Sequence, residues 1–201
     1  QPILKCFEEI MQQSRLLQTK QSRPVVKTPI QPDKQQSIVY CGVPGSYAWQ
    51  AAKEYFGSEI SLVTAGSFEQ TFEYLRVNKA QKAVLPIENS STGSVSQVYD
   101  LLGKYGFYIV GEYTLQIHHC LLAKEGVRLE DIRAVYSHQQ ALDQSAAYIH
   151  SHNSWEMHPM YNTAAAAEMV SQSSRRDIAA IASKEAAQLY HLNILQENIH
   201  F

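Results

Sequence analysis

The sequence carries only three cysteines among its 201 residues, Cys6, Cys41 and Cys120, odd in number and far apart. No C-x-x-C spacing occurs, which argues against a disulfide framework or a cysteine-rich zinc site and for reduced, buried thiols. No apolar run approaches the roughly 18 residues of a membrane span. Seventeen Lys and Arg against nineteen Asp and Glu, a net charge of −2, form no basic cluster. The electrostatic footprint for a phosphate backbone is therefore missing. Neither nucleic acid nor a membrane is expected as a partner, and small molecules are. Nine glycines and seven prolines without a biased tract argue against a fibrous or disordered chain. Reduced thiols lead us to expect a cytoplasmic protein, and a start with neither Met nor a charged-then-apolar leader leads us to expect a cut piece of something longer. What is present is 45% hydrophobic and 18% charged residues, enough for a core in one or two units.

Residues 2–21 place Ile3, Leu4, Phe7, Ile10, Met11 and Leu17 at helical spacing, which predicts one amphipathic helix. Pro24, Pro29 and Pro32 among polar residues make 22–36 a linker. From Ser37 onward, short β-branched or apolar runs alternate with helical patterns. Strands are expected at 38–41, 60–63, 83–87 and 108–110, with helices from Ser46, Ser67 and Ser94. After an extended stretch at 114–123, strands at 134–136, 156–158, 178–181 and 192–195 alternate with helices from His138, Asn162 and Ser183. This rhythm predicts two α/β lobes, 37–113 and 114–194, with 195–201 heading back to the first. The crossings near Thr114 and Leu195 are candidate hinges.

Four strand-to-helix junctions carry small polar chemistry: Gly42-Val43-Pro44-Gly45-Ser46-Tyr47, the segment 86–94 with Glu88, Asn89, Ser90, Ser91, Thr92 and Gly93, Ser137-His138-Gln139-Gln140 with Gln144 one turn on, and Asn162-Thr163. In open α/β sheets ligands sit beyond the carboxyl ends of strands, where all four fall. The plainer reading is that Ser, Asn and Thr at helix starts are N-caps. Gly42-x-x-Gly45 lacks the third glycine and downstream acid of a dinucleotide fingerprint, and no P-loop pattern exists, so nucleotide cofactors are not expected. His118-His119 and His150-x-His152 diverge on a strand or a helix, so neither pair chelates readily and no metal is expected.

In this order, residues 42–47 with Ala51-Ala52, 84–93, 117–122, 136–144, 162–170 and 179–183 resemble the catalytic domain of prephenate dehydratase over nearly all of 38–201. Leu85-Pro86-Ile87-Glu88-Asn89-Ser90-Ser91-Thr92-Gly93 is the most diagnostic run, followed by Ser137-His138 with Gln140 and Gln144. Phe7, Ile10-Met11, Ser14-Arg15 and Gln18 resemble the end of the last helix of an all-helical chorismate mutase. The two together imply a slice of a bifunctional chorismate mutase/prephenate dehydratase. In it, 1–21 is a mutase remnant unable to act alone, 22–36 a linker, 37–113 plus 195–201 an incomplete first lobe, and 114–194 the second. The family's Thr-Arg-Phe motif, whose threonine is its strongest proton-donor candidate, and its ACT domain would follow residue 201. The present chain is therefore expected to be inactive or weakly active, and mutase activity is expected of the full-length parent alone. Gln139, where the family often has proline, and Ala48, where a second hydroxyl is common, depart from the pattern.

The resemblance implies a two-lobed, periplasmic-binding-protein-like α/β fold with a cleft, preceded by one helix. It implies a lyase of phenylalanine biosynthesis that converts prephenate to phenylpyruvate without a cofactor, and a homodimer. Asn89, Ser137 and Gln144 would be catalytic, the first and last bonding the substrate and Ser137 placing a hydroxyl near the reacting groups. Ser46, Tyr47, Glu88, Ser90, Ser91, Gly93, His138, Gln140 and Thr163 would bind the substrate or line the cleft. Glu88 would orient its loop, and His138 could equally be a buried structural histidine. The alternative is a two-lobed binding module for a small anion, without catalysis.

Overall fold

A computed structural model describes residues 36–90, 93–152 and 155–200. The chain divides into two units, Gln1–Ile30 and Gln31–Phe201, and all described residues belong to the second. The helix expected at 2–21 and all but the last residue of the linker lie outside the described residues.

The first lobe builds a parallel sheet from β1 (Ser37–Cys41), β2 (Ser61–Ala65) and β3 (Lys82–Val84), in the order β2-β1-β3. Helices α1 (Tyr47–Phe56) and α2 (Phe68–Arg76) make the crossovers. Ser46 and Ser67 cap them, each accepting a hydrogen bond from the backbone N–H three residues on. Val39 of the central strand packs with Ala65 and Ala80, and Phe72, Val98 and Leu101 form a second cluster under α2 and α3 (Ser96–Tyr105).

Between β3 and α3 the chain forms a small antiparallel hairpin, β4 (Glu88–Asn89) with β5 (Gly93–Ser94). The helix expected from Ser94 accordingly starts two residues later, with Val95 at its cap and no side-chain cap bond. The run 108–110 is not a strand. No stretch of 107–119 is regular, and Tyr108 and Val110 are 87% and 76% exposed. β-branched residues favour a pleated surface but cannot make one without a neighbouring backbone.

The second lobe carries five strands in the order β10-β6-β9-β7-β8: β6 (Cys120–Ala123), β7 (Ala134–His138), β8 (Glu156–Met160), β9 (Ile178–Ala182) and β10 (Asn193–Gln196). β7, β8 and β9 run parallel, while β6 and β10 are antiparallel additions. The sheet is covered on both faces, and its inner strands β6 and β9 are apolar and buried throughout, while β7 ends in Ser137 and His138. Cys120 and Leu122 face one cluster with Ala180 and Ala182, while Leu121 and Ala123 face the other with Ala179 and Ile181. Helix α6 (Thr163–Gln172) lies against the first of these through Ala166, Ala167 and Val170. Alanine favours the helix and also lets its axis come close to the sheet. Helices α4 (Gln139–Gln144), α5 (Ala146–His150) and α7 (Lys184–Leu189) complete the lobe.

The tail differs from expectation. Leu195 packs on the second lobe's core, Ile199 is buried in it, and the Ile199 N–H donates to the His119 carbonyl at 3.0 Å. Residues 195–200 therefore extend the second sheet's packing, and Leu195 is no crossing. Thr114 does lie in the irregular crossing, one residue after Tyr113, whose hydroxyl donates to Glu54 on α1.

Candidate active site

The loop after β1 is where the lobes meet. Gly42 and Gly45 adopt φ of +123° and +83°, values an L side chain rarely takes. They turn the chain so that Ser46 starts α1 while the Gly45 and Pro44 carbonyls face the second lobe. There the Ser183 hydroxyl donates to Gly45 O at 3.3 Å and the Tyr190 hydroxyl to Pro44 O at 2.9 Å. Ser183 also caps α7, accepting from Ala186 N at 3.1 Å.

One residue on, Tyr47 reaches into the same junction. Its hydroxyl lies 2.8 Å from Nδ1 of His119 and 3.1 Å from the His118 carbonyl. The other ring nitrogen of His119, Nε2, is 2.9 Å from Oε1 of Gln144. His119 is 3% exposed, and burial pushes its pKa below the usual histidine value, assisted by His200 and His118, so the imidazole is neutral at pH 7. Burial, then the neighbouring Cys120 and Glu185, push the Tyr47 phenol far up, so it stays protonated. The junction thus holds uncharged hydrogen-bonding groups from α1, the entry to β6, and the end of α4.

Ser137, at the carboxyl end of β7, is fully buried and donates its hydroxyl to the Ile181 carbonyl at 2.6 Å. It ties β7 to β9, and its proton is committed there. His138 is exposed, which removes the buried-histidine reading; its Nδ1 accepts from Gln140 N at 3.3 Å and caps α4. Asn162 caps α6 through Ala165 N at 2.7 Å, and Thr163 is buried behind it. Capping therefore accounts for three of the four junctions. The fourth does not cap: Asn89 is half-buried on β4, while Glu88, Ser90 and Gly93 are exposed on the hairpin. Ser91 lies outside the described residues.

The structure joins Ser46-Tyr47 to Gln144 through His119, a residue the sequence reading weighed only as half of a possible metal pair. The signal available was its place immediately before the apolar run 120–123, where a polar side chain must be buried. Ser183 and Tyr190, which dock the lobes, carried no such signal beyond a serine at a helix start. Among the described residues, no group of three or more His, Cys, Asp or Glu is placed to hold a metal. A depression of about 560 Å3 lined by Gly126, Val127, Asp131, Arg133, Arg176 and Asp177 lies at the amino ends of β7 and β9, opposite these groups. Arg133 and Arg176 there donate to backbone carbonyls, and Arg175 pairs with Asp177.

Two α/β lobes with polar junctions at the carboxyl ends of their strands define the periplasmic-binding-protein-like class. The chain belongs to the prephenate dehydratase family, whose model, described as Prephenate dehydratase, matches residues 38–201. It is similar to arogenate dehydratase/prephenate dehydratase 1, chloroplastic, of Arabidopsis thaliana, 42% identical over 167 residues that make up 83% of this chain and 42% of that protein. The bifunctional chorismate mutase/prephenate dehydratase of Enterobacter agglomerans is 37% identical over 165 residues, 81% of this chain and 43% of that one. The chain thus spans less than half the length of the curated relatives it matches. Among solved structures, the prephenate dehydratase of Arthrobacter aurescens in complex with L-Phe aligns with a TM-score of 0.75 at 26% identity, over 82% of this chain and 55% of that one. GqqA, titled a novel type of quorum quenching acylase, aligns with a TM-score of 0.75 at 33% identity, over 82% and 60%. Among the described residues, no helix is long and apolar enough to cross a membrane.

Proposed function

We propose that the protein carrying this chain is a dehydratase that converts prephenate to phenylpyruvate in phenylalanine biosynthesis. In this reaction the bond from the ring to its carboxylate breaks and releases CO2. The bonding electrons enter the ring, and the para hydroxyl departs, leaving with a proton as water. Aromatisation drives the step, so the protein has to orient the ring, keep the departing carboxylate poorly solvated and supply one proton.

The observation that carries this reading is the neutral junction: Tyr47, His119 and Gln144 bring uncharged hydrogen-bonding groups from both lobes together. Uncharged donors hold an anion without the strong ion pairing that would stabilise the carboxylate against loss. Gln144 and Asn89 would hydrogen-bond the substrate, with Ser137 holding the carboxyl end of β7 to β9 through the Ile181 carbonyl. Ser46, Tyr47, Ser90, Ser91, Gly93, Gln140, His138 and Thr163 would line the approach, with Glu88 orienting the hairpin. The proton for the leaving hydroxyl is assigned to the threonine of the family's Thr-Arg-Phe motif. Residues 1–21 are assigned to the last helix of a chorismate mutase, as in a bifunctional protein, and the active form to a homodimer in the cytoplasm.

A second substrate is favoured by the relatives' names: arogenate, whose dehydration by the same bond changes yields phenylalanine. Incubating the full-length protein with each acid, and following phenylpyruvate and phenylalanine, distinguishes the two. Tight binding of both acids with no turnover of either would overturn the enzyme reading in favour of an anion-binding module. Light scattering checks the dimer.

A further inference from the structure

We propose that the depression at the amino ends of β7 and β9 is a second anion site, in which Arg133 and Arg176 together hold the phosphate group of a small molecule. It lies at the opposite ends of the strands from the candidate active site and does not depend on the reaction carried out there.

Three connections build it. The first is the turn after β6, closed by the Val127 N–H on the Lys124 carbonyl at 3.1 Å; the others lead into β7 and into β9 and supply the two arginines. Backbone carbonyls anchor both guanidinium groups. Nη1 of Arg133 donates to the Glu130 and Ile132 carbonyls at 2.8 and 2.9 Å, and Nη2 of Arg176 donates to the Glu125 carbonyl at 2.7 Å. Gly126, at φ +73°, clears the space beside the second of these, since a Cβ there would stand 3.2 Å from Nη2 of Arg176. Arginines held in this way have lost much of their rotamer freedom before any ligand arrives.

The anchoring leaves donors over. Arg175 shows what a guanidinium fork takes, because its Nε and Nη2 each donate to one oxygen of Asp177 at 2.9 Å. In Arg133 the same two atoms make no hydrogen bond among the described residues, and neither Arg133 nor Arg176 is in an ion pair there. The two acids of the depression are already engaged: Asp177 by Arg175, and Asp131 by the N–H of Arg128 at 3.0 Å and its Nη2 at 3.5 Å. A carboxylate has two oxygens and fills one fork. A phosphate monoester has three terminal oxygens and nearly two negative charges, so it can accept from both arginines at once. The volume of about 560 Å3 exceeds what phosphate alone needs and leaves room for the molecule that carries it.

Calorimetric titration of the full-length protein tests this, in about 0.15 M NaCl to screen general attraction. The probes are inorganic phosphate, glycerol 3-phosphate and malonate. Both phosphates are expected to bind saturably with Kd below about 10 mM, and malonate at least about 10-fold more weakly. Arg133→Gln and Arg176→Gln should each weaken phosphate binding at least about 10-fold, and abolish the rise in melting temperature that phosphate gives the unaltered protein. Arg76→Gln, which removes one positive charge from α2 in the first lobe, should leave the affinity within about 2-fold. If Arg133→Gln does not fold, Arg176→Gln, which gives up one carbonyl contact, decides alone. Absence of saturable phosphate binding overturns the proposal, as does retained affinity in the glutamine variants or an equal loss in Arg76→Gln. Malonate bound as tightly as phosphate overturns the phosphate assignment and makes the depression a carboxylate site.

Discussion

The hydroxyl of Ser183 donates to the carbonyl of Gly45 at 3.3 Å across the lobe junction, 138 residues apart in sequence. The contact needs a backbone that only glycine adopts without strain, at φ +83°, with the space for a Cβ closed by Ala186 Cα at 3.3 Å. Two costs therefore coincide at one residue. Gly45→Ala is expected to destabilise the protein by about 1–2 kcal/mol, from left-handed strain alone. Urea denaturation monitored by circular dichroism checks this, and an unchanged midpoint would show that the loop relaxes away from α7.

Asn89→Ala and Gln144→Ala are each expected to lower turnover of prephenate at least about 100-fold while leaving the circular dichroism spectrum unchanged. Both side chains sit at the ends of short elements, half-buried, so neither supports a large core. Unchanged turnover in both variants would remove the site assignment.

Ser137→Ala separates structure from chemistry. The hydroxyl is buried and bonded to Ile181 O at 2.6 Å, so its loss leaves a buried carbonyl short of a partner. A destabilisation of about 1–3 kcal/mol is expected. Turnover measured well below the melting temperature should fall less than in Gln144→Ala, because the Ser137 proton is committed to the sheet.

Stability should depend on pH through His119. Its folded pKa is depressed by burial, assisted by His200 and His118, so just below the usual value near 6.5 the unfolded chain binds the proton and the folded one does not. Stability is then lost as pH falls from about 6.5 toward the folded pKa, and is full above 6.5. The groups facing the ring are Tyr47, Gln144, His118 and His200. His119→Gln, which cannot titrate, should flatten the slope of the urea midpoint between pH 5 and 7; an unaltered slope would assign it elsewhere.

Much of the local structure was legible in the residues. Ser46, Ser67, His138, Asn162 and Ser183 each start the helix expected of them, because a cap is a contact between residues two or three apart. Strand positions were recovered at β1, β7, β8 and β9, where apolar runs end at turn residues. Tyr108, Ile109 and Val110 carry the same composition and form no strand, while Glu88-Asn89 does not read as a strand and pairs with Gly93-Ser94. Strand formation needs a partner backbone, and local composition does not identify one.

By itself, then, the order of side chains determined the α/β rhythm, the helix starts and, through its motifs, the family. Tertiary structure decided that β10 returns to β6, so that the tail belongs to the second sheet. It also decided that Ser137 faces inward, and that His119 stands between Tyr47 and Gln144. These are contacts between residues 25 to 75 positions apart, set by which surfaces meet once each sheet has buried both its faces, and no local pattern encodes them.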